Sequence, residues 1–91
     1  MALQTVMTVC TGNICRSPLA QGLLAQRLPQ TRVYSAGLSA VIGHPATPET
    51  VDIAQTLGVD ITAHRAQQVS ALLVQSAQLI LTAEQAQKQW I

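Results

Sequence analysis

The chain reads as an α/β domain built on a parallel sheet, and three features of the sequence predict it. Short apolar runs without polar alternation, Thr5-Val6-Met7-Thr8-Val9 and Leu79-Ile80-Leu81, suit strands buried on both faces. Between them, apolar residues recur at helical spacing, so strands and helices alternate along the chain. Gly and Pro punctuate the joints, at Gly12, Pro18, Pro29, Gly37, Pro48 and Gly58. Parallel pairing through right-handed crossovers follows from that alternation. No repeat, low-complexity tract or linker divides residues 1–91, which read as a single domain.

The first strand, Thr5–Val9, feeds a loop carrying Gly12 and Asn13, the residue types that most easily take a left-handed backbone. Ser17 and Pro18 then suit the cap and first position of a helix. That helix runs to about Leu28, with Leu19, Ala20, Leu23, Leu24 and Leu28 on one stripe, and stops at Pro29. Val33-Tyr34-Ser35 reads as a second strand leaving through Ala36-Gly37. Residues 38–46 form a loop marked by Gly43 and Pro45. Thr47-Pro48-Glu49 opens a helix with a cap, a proline and an acidic first turn. It is expected to bury Val51, Ile53, Ala54 and Leu57 and to end at Gly58. An irregular stretch from Val59 to Gln68 precedes a short helix over Ser70–Gln75. Leu79–Leu81 is a buried strand, and Thr82-x-x-Gln85 resembles a capping box for a last helix running into Trp90.

The densest chemistry lies in the first strand–loop–helix joint, Cys10-Thr11-Gly12-Asn13-Ile14-Cys15-Arg16-Ser17-Pro18. A strand entering a tight loop and then a helix turns successive N–H groups inward and aims the helix dipole at one point, which makes an anion cradle. A thiol is a useful nucleophile only as thiolate, and amides, a helix N-terminus and a nearby Arg favour that form. Arg16 offers a planar fork that can grip two oxygens of a phosphoryl group and offset the charge gathering there. The Ser17 hydroxyl is suited to donate to the sulfur, stabilising the thiolate and easing its departure from a phosphocysteine. An isolated cysteine at a strand end is usually just a small buried hydrophobe. Cys10, Gly12, Asn13, Cys15, Arg16, Ser17 and Pro18 would fall together by chance at roughly one in 10⁹ per start position, which favours the functional reading.

Composition narrows the alternatives. Charged residues make up 10% of the 91 and the net charge is +1, so no basic stripe invites nucleic acid or an anionic membrane. Tyr34 and Trp90 are the only aromatics, too few to stack bases. No charged and apolar leader opens the chain and no run approaches a membrane span, which predicts a cytoplasmic protein. Cys10 and Cys15 are too few for a secreted disulfide scaffold, and with His44 and His64 they lack zinc-site spacing. No metal or other cofactor is implied.

With these residues in place, the chain resembles the low-molecular-weight protein tyrosine phosphatases. The loop matches that family's N-terminal signature, and the likeness continues through Ser35-Ala36-Gly37, Gly43-His44-Pro45, His64-Arg65-Ala66 and Leu79-Ile80-Leu81. The resemblance implies a three-layer, flavodoxin-like sheet of order 2-1-3, with the family's fourth strand and C-terminal third missing. It implies that Cys10 is the nucleophile, assisted by Arg16 and Ser17, and that residues 11–16 hold the phosphate: Thr11, Gly12, Asn13, Ile14, Cys15 and Arg16. It further implies that Asn13, Ser35 and His64 form a network holding the loop asparagine in a left-handed conformation. Taken alone, His64 fits a surface or satisfied core histidine, and Ser35 merely a strand end. Cys15 fits either a structural thiol or, as the family suggests, a partner that traps Cys10 as a reversible disulfide.

Family members acting on phosphoarginine tend to carry a small hydroxyl residue where this chain has Ile14, so Ile14 leans toward an aryl ring and phosphotyrosine. An aromatic wall common in the family is replaced here by Val41. Arsenate reductases of similar fold have Gln after Arg-Ser and further cysteines; this chain has Pro18 and none beyond Cys15. The family's acid loop carries an Asp-Pro that this sequence lacks, while Asp52, Asp60 and Glu84 read as solvated charges. General-acid catalysis is worth about 10²–10⁴-fold, so slow turnover of poor leaving groups is expected. An unpaired third strand also invites a homodimer through the sheet edge. Three functions remain open: a phosphatase acting on a phosphotyrosine protein or small phosphomonoester, a non-catalytic phosphate- or phosphoprotein-binding module, and a thiol redox or arsenate reductase-like protein.

Overall fold

The computed structural model describes residues 4–82. Three strands, β1 (Thr5–Cys10), β2 (Arg32–Gly37) and β3 (Leu79–Thr82), alternate with the helices α1 (Arg16–Arg27), α2 (Pro48–Thr56) and α3 (Ala71–Ser76). The sheet is parallel throughout, in the flavodoxin-like order β2-β1-β3. β1 is central and buried from Val6 onward. Its register sets Cys10 beside Gly37 at the carboxyl end of the sheet, where the loop to α1 leaves. In open parallel sheets that end is where ligands bind.

Two apolar clusters form, one on the sheet and one between α1, α2 and the segment that follows α2. Met7, Val9 and Ala36 face one way, against Leu73, Val74 and Ile80. On the other side of the molecule Ala46, Ala54 and Ile61 pack with Leu19, Val51 and Val59, joining α1 to α2. Gly22 permits that approach, because a Cβ there would lie 2.7 Å from Val59 Cγ1 and 2.8 Å from Ile61 Cγ2. The Thr47 cap read from sequence holds, accepting from Thr50 N, and Gly58 takes φ 79° just beyond α2; Ser70, expected as the first residue of a short helix, is instead the cap of α3 and accepts from Leu73 N.

Several expectations are corrected. Ser17 is not the cap of α1; the helix starts at Arg16 with Cys15 in the cap position and no side-chain cap bond. The Ser17 side chain instead points inward, to the sulfur of Cys10. Gly12 does not have a positive φ; among the non-glycine described residues Asn13 alone has one, at 59°. Ile53 and Leu57 lie exposed rather than buried. α2 instead turns Thr50 and Ala54 inward, and Thr50 is buried with its hydroxyl bonded at Thr47 Oγ1 and Cys15 Sγ. Leu79 and Leu81 are 38% and 40% exposed, because only Ile80 of β3 faces the α3 core. The expected last helix from Thr82-x-x-Gln85 to Trp90, and Glu84, lie outside the described residues.

Candidate active site

The loop from Cys10 to Cys15 is held by its carbonyls. Cys10 O accepts from Leu38 N, Thr11 O from Ser39 N, Gly12 O from Val41 N and Ile14 O from Thr47 N, at 2.8–3.0 Å. His64 Nε2 donates to Asn13 O at 2.6 Å, and Leu19 N to Cys15 O at 3.3 Å. A carbonyl only accepts, so His64 carries a proton on Nε2. All these peptides are trans, which sets each N–H opposite the preceding C=O. With the carbonyls spent outward, the amides of residues 11–16 turn the other way. The Asn13 N–H shows the result, donating to Cys10 Sγ at 3.3 Å.

Around the sulfur the buried polar groups form one network. Ser17 Oγ lies 2.9 Å from Cys10 Sγ. Asn13 Nδ2 donates to Ser17 Oγ at 2.8 Å and to Ser35 Oγ at 3.0 Å, while Gln67 N donates to Asn13 Oδ1 at 2.8 Å. Thr8 Oγ1 donates to Ser17 O and fixes the first turn of α1 from below. Asn13, Ser17 and Ser35 are 0%, 1% and 2% exposed, yet no buried side-chain N or O among the described residues lacks a partner. A left-handed asparagine in a buried loop costs energy, and these bonds over-determine it.

The structure thus brings Cys10, Asn13, Ser17, Ser35 and His64 together. Cys10 is buried and Cys15 exposed, both as free thiols, with Thr50 Oγ1 donating to Cys15 Sγ at 3.4 Å. Arg16 is exposed at the start of α1 and lines a cleft of about 80 Å³ with Thr8, Val9, Ser17, Ala20, Leu81 and Thr82. Thr11, Gly12 and Ile14 form the outer wall of the loop, and a Cβ on Gly12 would meet Ile14 and Val41 at ordinary contact distance. Among the described residues no cluster of His, Cys, Asp and Glu could hold a metal ion, and no helix is long and apolar enough to cross a membrane.

A sequence model described as "Low molecular weight phosphotyrosine protein phosphatase" matches residues 5–91. The chain belongs to that family. It is 52% identical over 89 residues to the "Probable low molecular weight protein-tyrosine-phosphatase EpsP" of Ralstonia nicotianae, covering 98% of this chain and 61% of the relative. The tyrosine phosphatase AmsI of Erwinia amylovora superposes with a TM-score of 0.93 at 36% identity, covering 97% of this chain and 58% of that one. Wzb of Vibrio vulnificus in complex with benzylphosphonate superposes at 0.92 with 34% identity, covering 97% and 63%. The chain therefore spans about three fifths of the length of the phosphatases it matches.

Some residues that brace the Cys10–Cys15 loop escaped the sequence reading. Gln67 serves Asn13 through its backbone and Ser35 O through its side chain. Gln68 closes the outer loop, donating to Leu38 O at 2.8 Å and accepting from Ala40 N at 2.9 Å. Gln21 accepts from Ser35 Oγ. Glutamines carry no local signature, and their partners lie 12 to 54 residues away. Nothing in the linear pattern could have marked them.

Proposed function

We propose that this chain hydrolyses phosphomonoesters, with protein phosphotyrosine as substrate, through a phosphocysteine intermediate. One observation carries the reading: every carbonyl from Cys10 to Cys15 is bonded outward, leaving a ring of amides around a buried sulfur. Such a ring binds a tetrahedral anion and favours the thiolate. In the first step the Cys10 sulfur attacks phosphorus, the S–P bond forms as the ester P–O bond breaks, and the leaving oxygen takes up a proton. Water then attacks phosphorus, the S–P bond breaks and inorganic phosphate leaves. Arg16 offsets charge on the equatorial oxygens, and the Ser17 hydroxyl donates to the departing sulfur. No carboxyl is assigned as the acid: Glu49 and Asp52 are exposed on α2, and Asp60 is bonded to Thr62.

Several points support phosphotyrosine. EpsP and AmsI are called tyrosine phosphatases, and Wzb of Vibrio vulnificus was solved in complex with benzylphosphonate. Ile14 and Val41 set aliphatic side chains beside Gly12, and Val41 N is tied directly to Gly12 O. Cys15, free and exposed, is the proposed partner under peroxide. Oxidation of the Cys10 thiolate gives a sulfenic acid, which the Cys15 sulfur attacks, releasing water and closing a disulfide. A nucleophile that works only as a free thiolate suits the reducing cytoplasm. Self-association through the β3 edge completes the proposal.

Hydrolysis of p-nitrophenyl phosphate, whose leaving group needs little protonation, is the test. The expected result is turnover that Cys10→Ser abolishes. Full activity in that variant would sink the phosphatase reading. Phosphate binding without turnover would point to a binding module, and dithiol cycling without phosphate affinity to a redox protein.

A further inference from the structure

A second cavity lies on the other flank of α1, away from the cleft that Arg16 and Ala20 share with β3. Its volume is about 380 Å³, within the range of small-molecule sites. Pro18 and Ile61, both buried, line it together with Val59 and Ala25, which makes most of its surface apolar. Gly22 brings the two sides together, since a Cβ there would run into Val59 and Ile61. Three polar side chains interrupt this lining: Gln21, Asp60 and His64. Gln21 is committed at both ends, donating to Val33 O and accepting from Ser35 Oγ. Asp60 takes both of its bonds, from Thr62 N and Thr62 Oγ1, on Oδ1, and they favour the charged carboxylate. Its Oδ2 carries neither. His64 spends the Nε2 proton on Asn13 O, so in the neutral ring Nδ1 is an acceptor.

We propose that this cavity binds a small organic ammonium, its hydrocarbon body against Pro18, Val59 and Ile61 and its cation at Asp60, with His64 Nδ1 as a further acceptor. The side-chain atoms left over on the wall are acceptors and one carries negative charge, so an anion finds no side-chain partner there. Arg65, a neighbouring cation, donates to Thr62 O and His64 O and does not line the cavity. Apolar contact supplies the area of such a site, while one or two convergent polar groups fix the orientation of the ligand. The amide ring around Cys10 suits a dianion, so the two sites take ligands of opposite charge. Neither Cys10 nor residues 11–16 line this cavity, and the inference does not depend on what the sulfur does.

The test is a titration of the full chain with benzylamine at pH 8, followed by amide nuclear magnetic resonance. The amides of Gly22, Ala25 and Ile61 are expected to shift saturably, with a dissociation constant on the order of a millimolar for so small a probe. Phenylacetate, the same ring carrying an anion, leaves those amides in place. Inorganic phosphate does not displace the amine, because it is held at the other site. Asp60→Asn weakens the amine by about threefold, as suits an exposed charge pair. Ala25→Leu fills the cavity from an exposed helix position and abolishes the shifts, while the remaining amide spectrum reports an intact fold. No saturable shift in the millimolar range would overturn the inference. So would equal binding of phenylacetate, an unchanged affinity in Asp60→Asn, or release of the amine by phosphate, which would place it at the Cys10 loop.

Discussion

Asn13 is where the loop is most constrained, and two substitutions separate the reasons. Its backbone is left-handed at φ 59°, and its side chain bonds Ser17, Ser35 and the Gln67 amide. Asn13→Ala removes those bonds and keeps a Cβ in a region that costs about 1–2 kcal/mol. Asn13→Gly removes the same bonds and relieves the backbone. With each lost bond worth about 1 kcal/mol, we expect Asn13→Ala to destabilise by roughly 3 kcal/mol or more, and Asn13→Gly to recover about 1 kcal/mol of it, in urea unfolding. Equal losses would mean the backbone carries no strain. The Gly12-Asn13 pair was legible because left-handed propensity is local, although Gly12 turned out not to use it. The glutamines at 21, 67 and 68 were not legible, because an amide side chain can brace anything within reach and only the fold decides what that is.

The Thr47 cap and the Gly58 stop of α2 could be read directly, since both act on neighbours two or three residues away. The buried face of α2 could not, because it depends on what packs there: Ala54 fits against Ala46 and Ile61, and Ile53 is left outside. Gly37 shows how closely one element's end serves another's chemistry. A Cβ there would lie 2.6 Å from Thr11 O and 3.0 Å from Asn13 N, both backbone atoms of the Cys10–Cys15 loop. Such overpacking costs about 1–3 kcal/mol, and here the loop must yield. Gly37→Ala is expected to weaken phosphate binding in calorimetry while the circular dichroism spectrum persists; unaltered affinity would show that the loop tolerates the shift. The turn after α2 offers a pH test. Thr62 Oγ1 and Thr62 N donate to Asp60 Oδ1, the hydroxyl bond being the larger cause, and hold its carboxyl below the ordinary 3.8. A folded value lower than the unfolded one stabilises above the unfolded value and is lost as pH falls through the folded one, here below 3.8. Thr62→Val should raise the Asp60 titration toward the ordinary value by carbon NMR. A curve that stays put would assign the effect to the backbone amide alone.

At the level of the whole molecule, alternation of strands and helices was enough to predict a parallel sheet, and the family resemblance supplied the order 2-1-3. Exposure of the third strand was hidden, because an apolar triplet reads as buried until one sees which of its faces is covered. Among the described residues β3 pairs on one side only, with β1, and presents Leu79 and Leu81 half-exposed. A chain that is 10% charged with a net charge of +1 carries little repulsion to keep such edges apart. Pairing of two β3 edges would continue the sheet across copies and cover both leucines together. We therefore expect dimers or larger species in sedimentation velocity at micromolar concentration. Leu79→Lys, which places a charge on that edge, should shift the distribution to monomer. Leu72→Lys should not, although Leu72 on α3 is 72% exposed, because it lies away from the strand. A clean monomer for the parent chain, or equal dissociation by both lysines, would show that the β3 edge does not mediate association.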